Sequence, residues 1–212
     1  MIKVIQHRVN DYLIPRLSDF AELDIHIDSD GEVVIKHDPD ERLAVRVPAI
    51  LSMGFDKLLI DIKQNLSPRF IRKIVDVVGF DNILGFIDVP WPSASFFLNG
   101  VKPNLYWRLS RYERPPEDAS KIYIDPITEK CETRDYKRLI IDFSYYNRRN
   151  GGEATYIIAA PDLHGKDLNS TLQVVRDLHE DFANTYMIKS LEGIITKYPT
   201  EVQELVSTLN GK

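Results

Sequence analysis

Cysteine, methionine and tryptophan are scarce in this chain, with one Cys, three Met and two Trp among 212 residues. A lone Cys131 excludes an internal disulfide framework, so the fold must rest on a hydrophobic core instead of covalent staples. Long hydrophobic runs are missing too. No stretch approaches the roughly 18 uninterrupted apolar residues of a membrane span, and the first residues lack the basic, apolar and small-residue succession of a leader peptide. The expectation is a cytoplasmic protein without stable membrane anchoring. Nor is there a surplus of positive charge. With 27 Lys and Arg against 32 Asp and Glu the net charge is -5, which argues against general affinity for nucleic acid and leaves only local basic clusters to grip a phosphate.

What is present is a 43 % hydrophobic composition, enough for a sizeable core, with no internal repeat, low-complexity segment or domain boundary. One domain over residues 1–212 is expected. Apolar runs of strand length recur along it: IKVIQ, LDIHI, VVIKH, LLIDI, ILGFIDV, LYWRLS, KIYID, RLIIDF, TYIIAA and GIIT. Several are apolar throughout, which suits strands of a parallel sheet covered by helices on both faces. An α/β architecture follows. Helices are expected over Ser67 to Val78, where Ser67 caps and Pro68 fits the first turn, over Leu168 to Phe182, and over Thr200 to Leu209. The stretches from Tyr112 to Tyr136 and from Tyr145 to Glu153 read as insert and polar loop.

The chemistry concentrates in VIQHR and ELDIHIDSDGEVVIKHD. Ser29-Asp30-Gly31-Glu32 carries turn residues between two alternating segments, so Glu22 to His37 reads as a strand, a tight turn and a returning segment. A spacing of two points the Glu22 and Asp24 side chains the same way, so both can converge on one ion, while His26 and Asp28 continue that face. Metal-assisted phosphodiester cleavage needs carboxylate oxygens for a hard divalent cation, one group to activate the attacking oxygen and one to protonate the leaving oxygen. His7, Glu22, Asp24 and His37 supply that set. A phosphodiester's negative charge repels nucleophiles until cationic groups neutralise it, and imidazoles near their ordinary pKa of about 6.5 can take or give a proton at neutral pH.

His7-Arg8, Glu22-x-Asp24 and His37-Asp38 are followed by Leu59-Ile60-Asp61-Ile62-Lys63 and by Gly193-Ile194-Ile195-Thr196-Lys197-Tyr198-Pro199. In this order they resemble the signature of the glycerophosphodiester phosphodiesterase family, from Gln6 to Pro199. The resemblance implies a TIM-type (β/α)8 barrel with its active site at the C-terminal ends of the strands. It implies that Glu22, Asp24 and Asp61 hold a divalent metal, that His7 and His37 share acid and base work, and that Arg8 and Lys63 hold the phosphate. All-oxygen ligands favour Mg²⁺ or Ca²⁺ over zinc. The implied substrate is a small-molecule phosphodiester joining glycerol or another polyol to an alcohol.

Departures from the pattern are local. Val9 stands where the family has glycine, Asp61 where it has Glu, and the first βα connection from Asn10 to Ala21 is shortened and lacks the Glu-Asn-Thr element. Arg108, Glu113, Asp125 and His164 follow later apolar runs and are candidates for reading the alcohol, with Trp91, Tyr106 and Trp107 as candidates for stacking on a sugar. Two other readings use the same residues. One is a degenerate barrel that binds a phosphate ligand or a protein without chemistry. The other is a metal-independent phospholipase C-like barrel, against which three carboxylates argue, since without a cation they would repel the substrate.

Overall fold

The computed structural model describes residues 2–38, 45–64, 67–89, 104–116, 119–127, 130–148, 154–183 and 191–211. Trp91 lies outside them. In chain order the elements are β1 (Lys3–Gln6), β2 (Phe20–Ile27), β3 (Val33–Ile35), β4 (Val45–Arg46), α1 (Val47–Leu51), β5 (Lys57–Ile62), α2 (Pro68–Val78) and β6 (Ile83–Ile87). They continue with β7 (Trp107–Leu109), β8 (Lys121–Ile124), α3 (Thr133–Arg148), β9 (Thr155–Ala159), α4 (Leu168–Ala183), β10 (Leu191–Thr196) and α5 (Pro199–Asn210). No helix among the described residues is long and apolar enough to cross a membrane. The chain divides into two compact units, residues 6–105 and residues 1–5 with 106–212.

In the unit of residues 6–105, β2 pairs in parallel with β5, and β5 in parallel with β6. β5 thus has a strand on each side, and all but its first residue are buried, which is why its run LLIDI is apolar but for one residue. The segment after β2 turns back as expected: β3 pairs antiparallel with β2, placing Ile25 opposite Ile35 and Ile27 opposite Val33. The turn closes because Asp28 Oδ1 accepts from the Asp30 and Glu32 N–H groups, while Gly31 takes a φ of +78° that only glycine adopts freely. Helix α2 starts after Ser67 with Pro68 in its first turn, buries Ile71, Ile74 and Val78, and stops at Gly79. These side chains pack with Leu23, Ile25, Ile60 and Ile62 into one core.

One side chain holds the short connection from β1 to β2 at two points of its backbone. Gln6, buried at the end of β1, donates from Nε2 to the Pro15 carbonyl at 2.9 Å and accepts the Leu17 N–H on Oε1 at 2.9 Å. One amide thereby satisfies two backbone groups that a short loop could not pair itself.

In the other unit the strand order is β1-β10-β9-β8-β7, with β10, β9, β8 and β7 paired in parallel. Gly193 in β10 allows close packing: a Cβ there would meet Ile5 Cδ1 at 3.0 Å and the Lys3 carbonyl at 3.3 Å. Ile122, Ile124, Ile158, Ile194, Val174, Leu178, Val202 and Val206 fill the core between sheet and helices. At the starts of β1, β8 and β10, Glu192 accepts from Lys3 at 2.8 Å and from the Tyr106 hydroxyl at 2.5 Å. Lys121 lies 3.5 Å from the same carboxylate.

Three expectations are corrected here. The run RLIIDF is not a strand; it lies inside α3, where Tyr136, Ile140 and Phe143 recur at helical spacing and are buried while Ile141 faces out. The helix also extends through Arg148 into the segment read as a loop from Tyr145. Tyr106 is no sugar platform, because its ring is buried and its hydroxyl is committed to Glu192 at the starting ends of the strands. Trp107 is partly buried against the same core.

Candidate active site

Period-2 geometry puts Glu22 and Asp24 on one face of β2, and the parallel register sets Asp61 of β5 directly opposite Asp24. All three are almost fully buried, at 1 %, 0 % and 4 % exposure. One oxygen from each lies within 4.8 Å of the others.

Cationic groups line the same cluster. Lys63 Nζ sits 3.2 Å from Asp24 Oδ1 and contacts Asp61 Oδ2. Arg8 Nε is 3.7 Å from Asp24 Oδ2. Its backbone adopts φ +52°, which turns the Arg8 N–H onto Glu22 Oε2 at 2.7 Å. Val9 needs no such freedom: its N–H donates to the Glu22 carbonyl at 3.0 Å and its side chain is buried in the core.

The imidazoles stand at the edge of this group. His7 Nε2 is 3.9 Å from Glu22 Oε2. His37 Nδ1 is 3.0 Å from Asp38 Oδ1, and its Nε2 meets the Arg8 guanidinium. A guanidinium only donates, so Nε2 accepts and the ring proton resides on Nδ1, toward Asp38. His26 is buried behind them, with Nε2 3.2 Å from the His37 carbonyl and Nδ1 3.2 Å from Gln64 Oε1, and so fixes the backbone that carries His37.

Three carboxylates against two cations leave a surplus of negative charge, which shows in the proton affinities. Burial raises Glu22 well above the usual carboxylate range, and the charges of Asp24 and Asp61 add to it; the Arg8 N–H and Lys63 only partly oppose this. Asp61 is pushed up to about 7 by burial and then by Asp88, which follows β6. Burial alone would lower Lys63, but Asp61, Asp24 and Glu22 outweigh it and hold its ammonium above the ordinary value. Asp61 Oδ1 is buried and makes no hydrogen bond among the described residues. A buried, all-oxygen, anionic cluster with an unsatisfied ligand atom fits a hard divalent cation.

The structure also brings together three of the more distant candidates, in the unit of residues 106–212. Arg108 of β7 donates to Asp125 Oδ2 just beyond β8, and His164 Nε2, in the turn after β9, lies 2.9 Å from Asp125 Oδ1. Glu113 Oε2 is 3.4 Å from Arg108 Nε. Burial would raise Asp125, yet the hydrogen bond from His164 and the charge of Arg108 hold it below the ordinary value, so this carboxylate is ionised.

Sequence reasoning passed over Asn10, Asp88 and Asp162. Asp162, buried after β9, accepts from Thr171 Oγ1 at 2.8 Å, Thr196 Oγ1 at 3.0 Å and the Lys197 N–H at 2.7 Å, latching β9 to β10. A polar residue after an apolar run was the available signal, and it drew attention to His164 two residues on.

No family model matches the chain, and no curated protein does. Solved structures do. A glycerophosphodiester phosphodiesterase from Agrobacterium tumefaciens is 15 % identical, with TM-score 0.62 over 98 % of this chain and 100 % of that one. One from Parabacteroides distasonis is 13 % identical, with TM-score 0.61 over 100 % of this chain and 98 % of that one. A glycerophosphoryl diester phosphodiesterase from the same organism is 13 % identical, with TM-score 0.61 over 99 % and 87 %. The chain thus resembles these proteins over nearly its whole length, and its fold is theirs, the TIM-type barrel class expected from the sequence.

Proposed function

We propose that residues 1–212 act as one barrel domain that hydrolyses a small-molecule phosphodiester of the glycerophosphodiester type, using a divalent ion, Mg²⁺ or Ca²⁺. The observation that carries this reading is the buried Glu22, Asp24 and Asp61 cluster, with ligand oxygens within 4.8 Å and Lys63, Arg8 and both imidazoles around it. When bound, the ion supplies positive charge against the phosphate oxygens as negative charge builds up on them.

The chain's own residues would do the rest. Lys63 and Arg8 hold the phosphate; Arg8 turns to it from His37, which frees the Nε2 lone pair. With its proton on Nδ1 and Asp38 behind it, His37 takes the proton of the attacking hydroxyl at Nε2. His7 delivers a proton to the leaving alcohol. Arg108, Asp125 and His164 are assigned to selection of the alcohol, on their strand-end positions and mutual contacts.

The test is hydrolysis of glycerophosphodiesters, nucleotide-polyol diesters and glycan-linked diesters with and without chelator. Loss of turnover in EDTA and its recovery with Mg²⁺ or Ca²⁺ are expected. Full turnover in excess EDTA, or in His7→Ala, would refute the proposal, and phosphate binding without turnover of any diester would favour a non-catalytic barrel.

A further inference from the structure

A carboxylate that ligates a cation must keep one oxygen aimed at it, and rotation about its terminal torsion is soft unless the other oxygen is held. Asn10 holds it in Asp24. Its Nδ2 donates to Asp24 Oδ2 at 2.7 Å, and its Oδ1 accepts the Asp24 N–H at 3.0 Å. The second bond fixes the amide's orientation, because a main-chain N–H can only donate. Side chain and main chain of one residue are thus tied to one amide, and neither bond can turn without straining the other.

The remaining oxygen, Asp24 Oδ1, lies on the side of Lys63, which also contacts Asp61. Asn10 provides this restraint without charge. Were Arg8 the sole partner of Asp24 Oδ2, holding the carboxylate and holding a phosphate would compete for one guanidinium. A neutral amide leaves Arg8 free to move and adds no positive charge to repel the ion.

We propose that Asn10 is a positioning residue for the cation site, fixing Asp24 in its ligating orientation. This rests on the reading of Glu22, Asp24 and Asp61 as that site. The shortened first connection thereby serves two of the ligands, since the Arg8 N–H is on Glu22 and the Asn10 amide is on Asp24.

The experiment is calorimetric titration of Mg²⁺ and of Ca²⁺ into the full chain for wild type, Asn10→Ala, Asn10→Leu and Asn82→Ala, with melting in EDTA to establish that each is folded. Asn10→Leu keeps the volume and removes the amide. Asn82 donates to the Val78 carbonyl at 2.8 Å just before β6, so Asn82→Ala loses a comparable bond unconnected to the carboxylates. Ion affinity should fall about 10- to 100-fold in both Asn10 variants, the usual effect of losing an outer partner of a ligand, and stay at the wild-type value in Asn82→Ala. Wild-type affinity in folded Asn10→Ala and Asn10→Leu would overturn the role of Asn10 alone. Absence of ion binding in wild type would overturn the cation site and this inference with it. Failure of both Asn10 variants to fold would make Asn10 a folding residue and overturn the positioning role.

Discussion

Without a cation the carboxylate cluster should be a pH-dependent liability to the fold, and Asp61 lets its size be worked out. Its carboxyl is pushed up to about 7 in the folded chain, against 3.8 for the ordinary group. Between those pH values the folded state binds a proton that the unfolded chain has released, so stability falls as pH rises through that window and stays low above it. At about 1.4 kcal/mol per pH unit the loss is on the order of 4 kcal/mol. For a chain of this length that corresponds to a melting shift of roughly 8–16 °C. Glu22, also raised, adds to the loss with the same sign.

The perturbation is Asp61→Asn, which cannot ionise, and the assay is thermal melting from pH 4 to 8 in EDTA and in excess Mg²⁺ or Ca²⁺. In EDTA the wild type should lose stability across this range more steeply than the variant, so that the variant melts higher at pH 8 and close to wild type at pH 4. A divalent ion should narrow that gap: at one hundred times its dissociation constant it contributes about 2.7 kcal/mol, less than the loss of about 4 kcal/mol, and only to a chain that keeps its ligands. Because the ion displaces protons, its effect should be larger at pH 8 than at pH 5. Identical pH dependence of wild type and Asp61→Asn in EDTA, or an ion effect independent of pH, would refute the argument.

Other expectations follow from individual contacts. If His7 delivers the proton to the leaving group, His7→Ala should lose turnover of alkyl phosphodiesters but retain much of it on p-nitrophenyl esters, whose leaving group needs no proton, while His37→Ala should lose both; equal losses on the two substrate types in His7→Ala would refute its acid role, and sparing in His37→Ala instead would reverse the assignment. Asp162→Ala strands two hydroxyls and the Lys197 N–H and should cost about 3 kcal/mol, measured by urea unfolding. Gly193→Ala should cost about 1–3 kcal/mol in the same assay, because the added methyl meets Ile5 Cδ1 at 3.0 Å, and a trimmed Ile5→Val partner should recover part of that cost.

Period-2 spacing made Glu22 and Asp24 legible as a pair before any coordinates, and the Ser-Asp-Gly turn made the return of the chain to His37 legible with them. The pairing of Asp24 with Asp61 was not, because register between strands separated by a hairpin and a helix depends on packing across the sheet, not on local pattern. RLIIDF misled for another reason: four apolar residues within six fit a buried strand as well as one face of a helix, and only the longer frame from Tyr136 to Phe143 separates the two. Arg8 and Asn10 show a third limit. A left-handed φ at an arginine and an amide folded back onto one residue of β2 leave no mark in composition or periodicity.

The Gln6 clasp has a consequence for how this chain can vary. Because Gln6 grips the backbone at Pro15 and Leu17, the tip between them and Asn10 is insulated from the carboxylates, and Leu13 there is 75 % exposed with its N–H on the neighbouring Asp11. Doubling the length of such a loop costs only about 0.6 kcal/mol in closure entropy. The tip is accordingly a natural grafting point, where a reporter peptide or a foreign recognition loop can be spliced while the clasp carries none of the change inward.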